Sequence, residues 1–411
     1  MSEDPLVISL KEREKPRPVH LTPGEASALE EFSDRFLSGN AKVVKMKRSS
    51  PTEWEVEAAT CIGAVRIPVP GGRPIHLHIH PKLSIHRILM LLGHDSEAWD
   101  VHTIPLPETQ PLLPAMAEAF ARSYKRANGG APLRDYRTTK EEATVLRGRI
   151  LPEEQTRRRG SLATPIIGEH DDFTVVLPEN RVLLTAARRL ASLPGVSRST
   201  SSFLRGIEED LSELVPLAPD EPFPQWKPSS RNRGFEPVLH LAETILRGDS
   251  ANHEGRGQVP VDGFLFNPET FFEKFIDARI DERLGPGRKT KAQDRSHRLD
   301  HLGRVTLRPD TVVYESGRPV AVVDAKYKDL DSKGNPAKND LYQMVAYCAA
   351  LGVTSGHLVY AFGDVAKGHE EYFVEASGIT VHIHSVELSG TREEIASRFT
   401  SLLHALPATA S

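Results

Sequence analysis

Two acids and a lysine near the C-terminal end have the types and spacing to do chemistry. Asp310 closes the run Arg304-Val-Thr-Leu-Arg-Pro-Asp310, and Asp324 and Lys326 follow in Val320-Ala-Val-Val-Asp324-Ala-Lys326. Both runs read as adjoining strands. Side chains alternate along a strand, so Asp324 and Lys326 share a face. The run Val320 to Val323 reads as central to a sheet, where an acid and an amine are costly unless they act together. Two carboxylates can hold a hard divalent ion. A lysine beside them can orient an attacking water, help deprotonate it, or neutralise charge on a phosphorane. These are the needs of metal-assisted phosphodiester hydrolysis.

Neighbouring elements could extend that set. The helix Phe271-Phe-Glu273-Lys-Phe-Ile276 packs its apolar positions on the sheet and leaves Glu273 as a third carboxylate, although a surface glutamate would look the same. In Tyr342-Gln343-Met-Val-Ala-Tyr347, Gln343 and Tyr347 stand four apart on one helix face and can reach a phosphate. An ordinary amphipathic helix with polar edges explains that pair equally well in isolation. Asn267-Pro268 predicts the start of a helix running to Leu284, with Gly285 beyond it. Gly285 to Ser296 and Lys328 to Asn339 read as polar loops, the first of them mobile. Glu315-Ser-Gly-Arg318 predicts a hairpin turn, and Asp340 to Leu351 a helix stopped by Gly352. Strands over Gly356 to Phe362 and Ile379 to Val386 and a helix over Arg392 to Leu406 complete an α/β region spanning 251–411.

Residues 1–105 read as mainly β. A helix through Leu29 and Phe32 follows Thr22-Pro-Gly-Glu25, and the strands Cys61 to Ile67 and Ile75 to His80 flank the turn at Pro70-Gly-Gly-Arg-Pro74. A further helix is predicted over Ile85 to Leu92. Residues 106–250 read as mainly helical, with helices over Pro111 to Ala127, Pro178 to Leu193 and Pro237 to about Gly248, and a short strand over Leu146 to Ile150. His76, His78 and His80 alternate on one face. At roughly 7 Å between neighbours they are too far apart to chelate one ion unaided, so the strand reads as a solvent- or partner-facing edge. His382 and His384 read the same way, and Glu169-His-Asp-Asp172 reads as a turn or interface.

The composition is that of an ordinary folded protein: 39% hydrophobic and 26% charged residues over 411 positions, with a net charge of -4. Charge is uneven along the chain. Arg122 to Arg159 holds eleven Lys/Arg against five Asp/Glu, and Arg288 to Asp310 holds seven against three. The second stretch leads into the candidate site, as a phosphate-tracking surface would, and a solvated loop would look similar. Cys61 and Cys348 are far apart and lack metal-ligand spacing, which points to a reducing compartment. The acidic start has no apolar core of a signal peptide, and no apolar run reaches the length of a membrane span. A cytoplasmic protein without a membrane partner is expected.

The order of the chemical residues is informative. Glu273 on a helix, Pro309-Asp310, Asp324-Ala-Lys326 on a buried strand, then Gln343-x-x-x-Tyr347 resembles the PD-(D/E)XK nuclease superfamily with the RecB-like extension. The chain is further similar to the McrC family, the nuclease subunits of McrBC modification-dependent restriction systems. The resemblance lies in Cys61-Ile-Gly-Ala-Val-Arg-Ile, Ile79-His-Pro81-Lys82, Leu146-Arg-Gly-Arg-Ile150, Asp172-Phe-Thr-Val-Val-Leu-Pro-Glu-Asn180-Arg-Val-Leu and Phe264-Leu-Phe-Asn-Pro-Glu-Thr-Phe-Phe-Glu273. It covers about residues 55 to 350 and departs from the family at the basic loop before Asp310 and the His-rich strand.

The resemblance implies a C-terminal PD-(D/E)XK domain behind a mainly β partner-docking domain and a helical middle region. It implies a Mg²⁺-dependent endonuclease, with Mn²⁺ as substitute, whose ion sits on Asp310, Asp324, the carbonyl of Ala325 and Glu273. Lys326 would act on the water and the phosphorane, and Gln343 and Tyr347 would orient the phosphate. The implied partners are an McrB-like AAA+ GTPase, whose hydrolysis the chain stimulates, and double-stranded DNA carrying 5-methylcytosine or another modification. Two assembled complexes would pair for double-strand cleavage. The chain itself has no Gly-x-x-x-x-Gly-Lys-Ser/Thr loop. Lys45, Lys47, Arg48 and Arg73 are candidates to reach the partner's nucleotide site. Two rival readings are a regulatory adaptor with a vestigial site and a stand-alone RecB-like repair nuclease.

Overall fold

Ile75, Leu77 and Ile79 alternate with histidines because they line one face of a strand buried against the N-terminal core. The structure, a computed structural model, describes residues 4–36, 42–59, 61–84, 87–88, 91, 112–145, 147–159, 164–193, 195–218, 221–250, 262–331, 334–362, 369–388 and 392–406. The expected helix over Ile85 to Leu92 lies largely outside them, as does Leu146. The chain forms two compact units, one of Met1–Gln110 with Gly257–Ser411 and one of Pro111–Arg256. It is a mixed α/β protein with several sheets.

In the first unit, β1 (Leu6–Lys11) pairs in parallel with β6 (Ile75–His80), and β5 (Ile62–Ile67) lies antiparallel beside β6. A smaller sheet orders β2 (Arg17–His20), β4 (Glu53–Ala58) and β3 (Val44–Arg48). Helix α1 (Pro23–Phe36) opens on the expected capping box: Glu25 Oε2 accepts the Thr22 N–H at 2.8 Å, and Thr22 Oγ1 accepts the Glu25 N–H at 3.3 Å. The fourth strand of the larger sheet comes from far along the chain. β10 (Asp262–Phe266) lies antiparallel to β5. Gly63 (φ 131°) and Gly263 (φ 146°) permit the close approach, since a Cβ on Gly263 would stand 2.3 Å from the Ala64 carbonyl oxygen. β10 feeds directly into the helix that bears Glu273.

The second sheet of this unit has the order β11-β12-β13-β14-β16-β15, from β11 (Arg288–Ala292), β12 (Thr311–Glu315), β13 (Arg318–Asp329), β14 (Ser355–Phe362), β15 (His369–Val374) and β16 (Ile379–Ser385). β13, β14 and β16 run parallel. The β12–β13 turn is made by Ser316 and Gly317, both at positive φ, which suits a two-residue hairpin. Two sequence expectations are corrected here. Within the stretch 285–296 read as a mobile loop, Arg288–Ala292 form a strand, β11, paired with β12. Residues 304–310 are not a strand, because Pro309 has no N–H for a ladder and the preceding segment folds as a loop with a bridge between Arg298 and Thr306.

The second unit packs α2 (Leu112–Asn128), α4 (Pro178–Ala191), α5 (Arg198–Asp210) and α6 (Glu236–Ser250), with the short α3 (Pro152–Arg159). Asn180 is buried because its amide donates to the carbonyls of Leu133 (2.7 Å) and Val175 (2.8 Å). The short strand expected over Leu146 to Ile150 is present as β8 (Arg149–Ile150), but the sequence reading missed its partners β7 (Asp135–Ala143) and β9 (Ile166–Thr174), with which it forms a sheet in the order β7-β9-β8. β7 is polar with about half its residues exposed, and β9 is polar through Glu169 to Asp172, so hydrophobic alternation gives these two strands little signature. Among the described residues, no helix is long and apolar enough to cross a membrane.

Candidate active site

Register brings the acids together. Thr311 pairs with Val323 in the antiparallel β12–β13 ladder, so Asp310, one residue earlier, falls opposite Asp324. Asp310 Oδ2 accepts the backbone N–H of Ala325 at 2.8 Å. Asp324 is 2% exposed. Val322, Asp324 and Lys326 share one face of β13 by alternation, the face that packs on α8 (Lys338–Leu351) through Val322, Met344 and Tyr347.

Lys326 lies between two partners, the carboxylate of Asp324 and Gln343 Oε1, the latter at 3.0 Å. Gln343 Nε2 donates to the hydroxyl of Tyr347 at 2.9 Å, and that hydroxyl donates to the Arg308 carbonyl at 3.2 Å. Tyr347 therefore reaches the site through the backbone two residues before Asp310. The first turn of α8 is pinned by Asp340, which accepts from Lys328 Nζ (2.8 Å) and Tyr360 Oη (2.5 Å).

Glu273 stands on α7 (Pro268–Asp281), whose Asn267 cap accepts the Glu269 N–H at 2.9 Å. The helix stops at Asp281, short of the expected Leu284, in a tightened last turn where the Arg283 N–H bonds the Ile280 carbonyl. Its buried Phe271, Phe272, Phe275 and Ile276 seat it on the core. Glu273 Oε2 accepts from Gln293 Nε2 at 3.1 Å, while Gln293 Oε1 accepts from Arg308. The Gln293 N–H also donates to the Asp310 carbonyl at 2.7 Å. To do all this Gln293 adopts φ 46°, a left-handed conformation uncommon for a side-chain-bearing residue. Neither Gln293 nor Arg308 stood out in the sequence, because one falls in a stretch read as a polar loop and the other is one of seven basic residues between Arg288 and Asp310.

The electrostatics are those of crowded acids. Burial, followed by the charges of Asp324 and Glu273, pushes the Asp310 carboxyl up to about 9. Burial also raises Glu273, with Asp324 adding to it. For Lys326 burial works toward a lower value, but the Asp324 carboxylate outweighs it and the ammonium is held protonated. A hard cation would relieve the repulsion between the acids. Asp310, Asp324, Glu273 and the Ala325 carbonyl offer the oxygen donors such an ion takes. Among the described residues, no group of three or more His, Cys, Asp or Glu side chains is arranged to hold a metal ion, so the three acids do not by themselves complete a metal site.

Other candidates are placed elsewhere. Glu169 to Asp172 lie within β9, not in a turn, with His170 Nε2 2.9 Å from Asp172. His382 and His384 are not on a free edge, because β16 is flanked by β14 and β15. His384 is buried 3.2 Å from His357 Nδ1, and His382 lies 3.2 Å from Glu371. Of the N-terminal cations, Arg73 bonds the buried Glu25 (2.7 Å), Lys45 pairs with Glu57 (3.6 Å), and Arg48 reaches the Ser50 and Pro51 carbonyls. Lys47 is exposed on β3, with no ion pair among the described residues. Part of the basic 122–159 stretch is ion-paired, Arg122 with Glu118, Lys140 with Glu154, Arg149 with Glu169 and Arg158 with Glu142.

The fold and site define a two-unit α/β protein with an acid–acid–lysine centre where the start of β12 meets the middle of β13. Residues 56–361 match the family described as McrBC 5-methylcytosine restriction system component, and the chain belongs to that family. The McrC resemblance read from the sequence is borne out by this match. In fold, the chain is similar to a chain of the refined half-complex from a tetradecameric assembly of Thermococcus gammatolerans McrB AAA+ hexamers with bound McrC. The TM-score is 0.55 at 17% identity, over 97% of this chain and 99% of that one. A chain of the Thermococcus gammatolerans McrBC complex aligns over 66% of this chain and 86% of that one, with a TM-score of 0.45 and 16% identity. Comparison with curated proteins finds no match.

Proposed function

We propose that the chain is the DNA-cleaving subunit of a McrBC-type restriction system. In this reading it is a Mg²⁺-dependent endonuclease of the PD-(D/E)XK superfamily that acts on modified double-stranded DNA with an McrB-like AAA+ GTPase. One observation carries the chemistry: Asp310 sits on the Ala325 N–H opposite Asp324, with Lys326 on the same face shared between Asp324 and Gln343. Family membership and the fold shared with a chain of an McrB–McrC assembly support the motor partner.

Asp310, Asp324, the Ala325 carbonyl and Glu273 would hold the ion. Bound there, Mg²⁺ supplies Lewis acidity toward the phosphate and a lowered pKa for the attacking water. Lys326, kept protonated by Asp324, would stabilise charge growing on the phosphoryl oxygens. Exposed Gln343 would meet the phosphate, and buried Tyr347 would hold the approach to Asp310 through the Arg308 carbonyl. The N-terminal β region would dock on the motor, with Lys47 the cation best placed to reach across.

The test is cleavage of methylated and unmodified plasmid by the chain with its co-encoded motor, GTP and Mg²⁺. Cleavage confined to methylated plasmid, and lost on chelation or in Asp324→Ala and Lys326→Ala, is expected. Full cleavage by either variant would overturn the assignment.

A further inference from the structure

A loop with an unusual surface leads into Asp310. Leu299, Leu302 and Val305 are 49%, 62% and 48% exposed, three large apolar side chains within seven residues. Arg295, Arg298 and Arg304 lie between and beside them, all exposed. The single acid of residues 295–307, Asp300, is occupied by Arg304 Nε (2.9 Å) and the Val305 N–H (3.0 Å).

The loop is built rather than slack. The Leu299 N–H donates to the Val305 carbonyl at 3.0 Å, and Arg298 bridges to Thr306, so its two limbs pair. Asp294 anchors the incoming limb. It is 1% exposed and accepts from Lys291 Nζ (2.8 Å), the Ser296 N–H (2.9 Å) and hydroxyl (2.6 Å), and Tyr314 Oη (2.5 Å). Leu307, on the outgoing limb, is buried in the core with Val312 and Tyr347. A rigid base therefore presents an apolar tip that the fold leaves in water. Scattered exposed apolar residues are common, but three on one anchored, arginine-flanked tip mark a contact surface.

From this we infer that residues 295–307 form a wedge for double-stranded DNA, resting on the nuclease reading above. Leu299 and Leu302 press into the base stack while Arg295 and the remaining donors of Arg298, which also holds the Arg295 and His297 carbonyls, meet flanking phosphates. Charge selects the occupant: a second copy would set arginines against arginines, whereas DNA offers phosphates around an apolar stack. Apolar wedges flanked by cations partially unstack a base step and bend the duplex, which widens access to the phosphate beyond. Leu302 is eight residues from Asp310, so an extended limb spans at most about 29 Å, or eight to nine base steps at about 3.4 Å each. The wedge therefore works within that distance of the cut.

The experiment uses full-length chain carrying Asp324→Ala, so that DNA survives, with a duplex containing 2-aminopurine. Binding is followed by anisotropy and unstacking by 2-aminopurine fluorescence. Leu299→Ser with Leu302→Ser should abolish the fluorescence rise and weaken binding about tenfold, with the salt dependence retained. Arg295→Ala should instead weaken binding uniformly and lower the salt slope by about one. Unchanged affinity and fluorescence in the leucine variant overturns the wedge. So does loss of self-association or of motor binding, read by sedimentation, with DNA binding intact. In the Asp324-intact chain, methylated-plasmid cleavage that persists at the parent rate in the leucine variant counts against the wedge alone. Absence of any cleavage by the parent, with leucine-dependent unstacking, counts against the nuclease alone.

Discussion

Lys82 of the N-terminal region grips both carboxylate oxygens of Asp329, at 2.8 Å each, five residues beyond Asp324 on the same strand. Its ammonium lies 4.2 Å from the centre of the Phe362 ring, and Arg13 stands over Tyr327 at 5.5 Å. Buried Glu12 accepts the Lys82 N–H at 3.2 Å. The end of β13 is thus tied to the Ile79-His-Pro81-Lys82 element that carried part of the family resemblance.

The ion pair is well exposed, so Lys82→Ala should cost about 0.5 kcal/mol of stability. Removing the buried Glu12 acceptor by Glu12→Ala should cost more, about 2 kcal/mol, because the Lys82 N–H then loses its partner. Thermal unfolding of the two variants checks the order.

Lys326→Ala leaves Asp324 buried without its cation, which should destabilise the fold by about 3 kcal/mol. Lys326→Ala with Asp324→Ala should recover much of that loss, since no lone charge is left. Both single variants should cut DNA about a thousandfold more slowly in the assembled complex. Unfolding curves and single-turnover cleavage separate the two effects.

Asp310 gives a pH dependence with a definite sign. At pH below the ordinary carboxylate range it is protonated in both folded and unfolded chains. Between that range and about 9 the unfolded chain releases a proton the fold retains, so stability falls as pH rises. The metal-free protein should melt lower at pH 8 than at pH 5, and Asp310→Asn should flatten that trend. Mg²⁺ at a hundredfold its Kd should restore about 2.7 kcal/mol, chiefly at the higher pH. Differential scanning calorimetry with and without chelator measures both.

Gly263→Ala would place a Cβ 2.3 Å from the Ala64 carbonyl oxygen at a φ of 146°. The β5–β10 pairing should open at a cost of about 3 kcal/mol or more, and Glu273 should lose its position with it. Hydrogen exchange across Asp262–Phe266 would report the opening, and cleavage the consequence.

The legible parts of the site were local. Asp324 and Lys326 share a face because strands alternate, and Gln343 and Tyr347 because four residues slightly exceed one helical turn of about 3.6 residues. Thr22 with Glu25, Asn267, and Ser316-Gly317 announced their caps and turn through backbone chemistry that acts within a few residues. The basic run before Asp310 was visible as charge, but its paired limbs and apolar tip were not, because that loop has no period.

Sequence alone therefore determined the acid–acid–lysine set, its order and the helices beside it, all consequences of short-range geometry. Tertiary structure decided the rest. It placed β10 against β5 some two hundred residues away, turned Gln293 through a left-handed bend to join Glu273, Arg308 and Asp310, and aimed Tyr347 at the Arg308 backbone. Those contacts depend on which distant strands pair and in what register, and neither periodicity nor propensity carries that information.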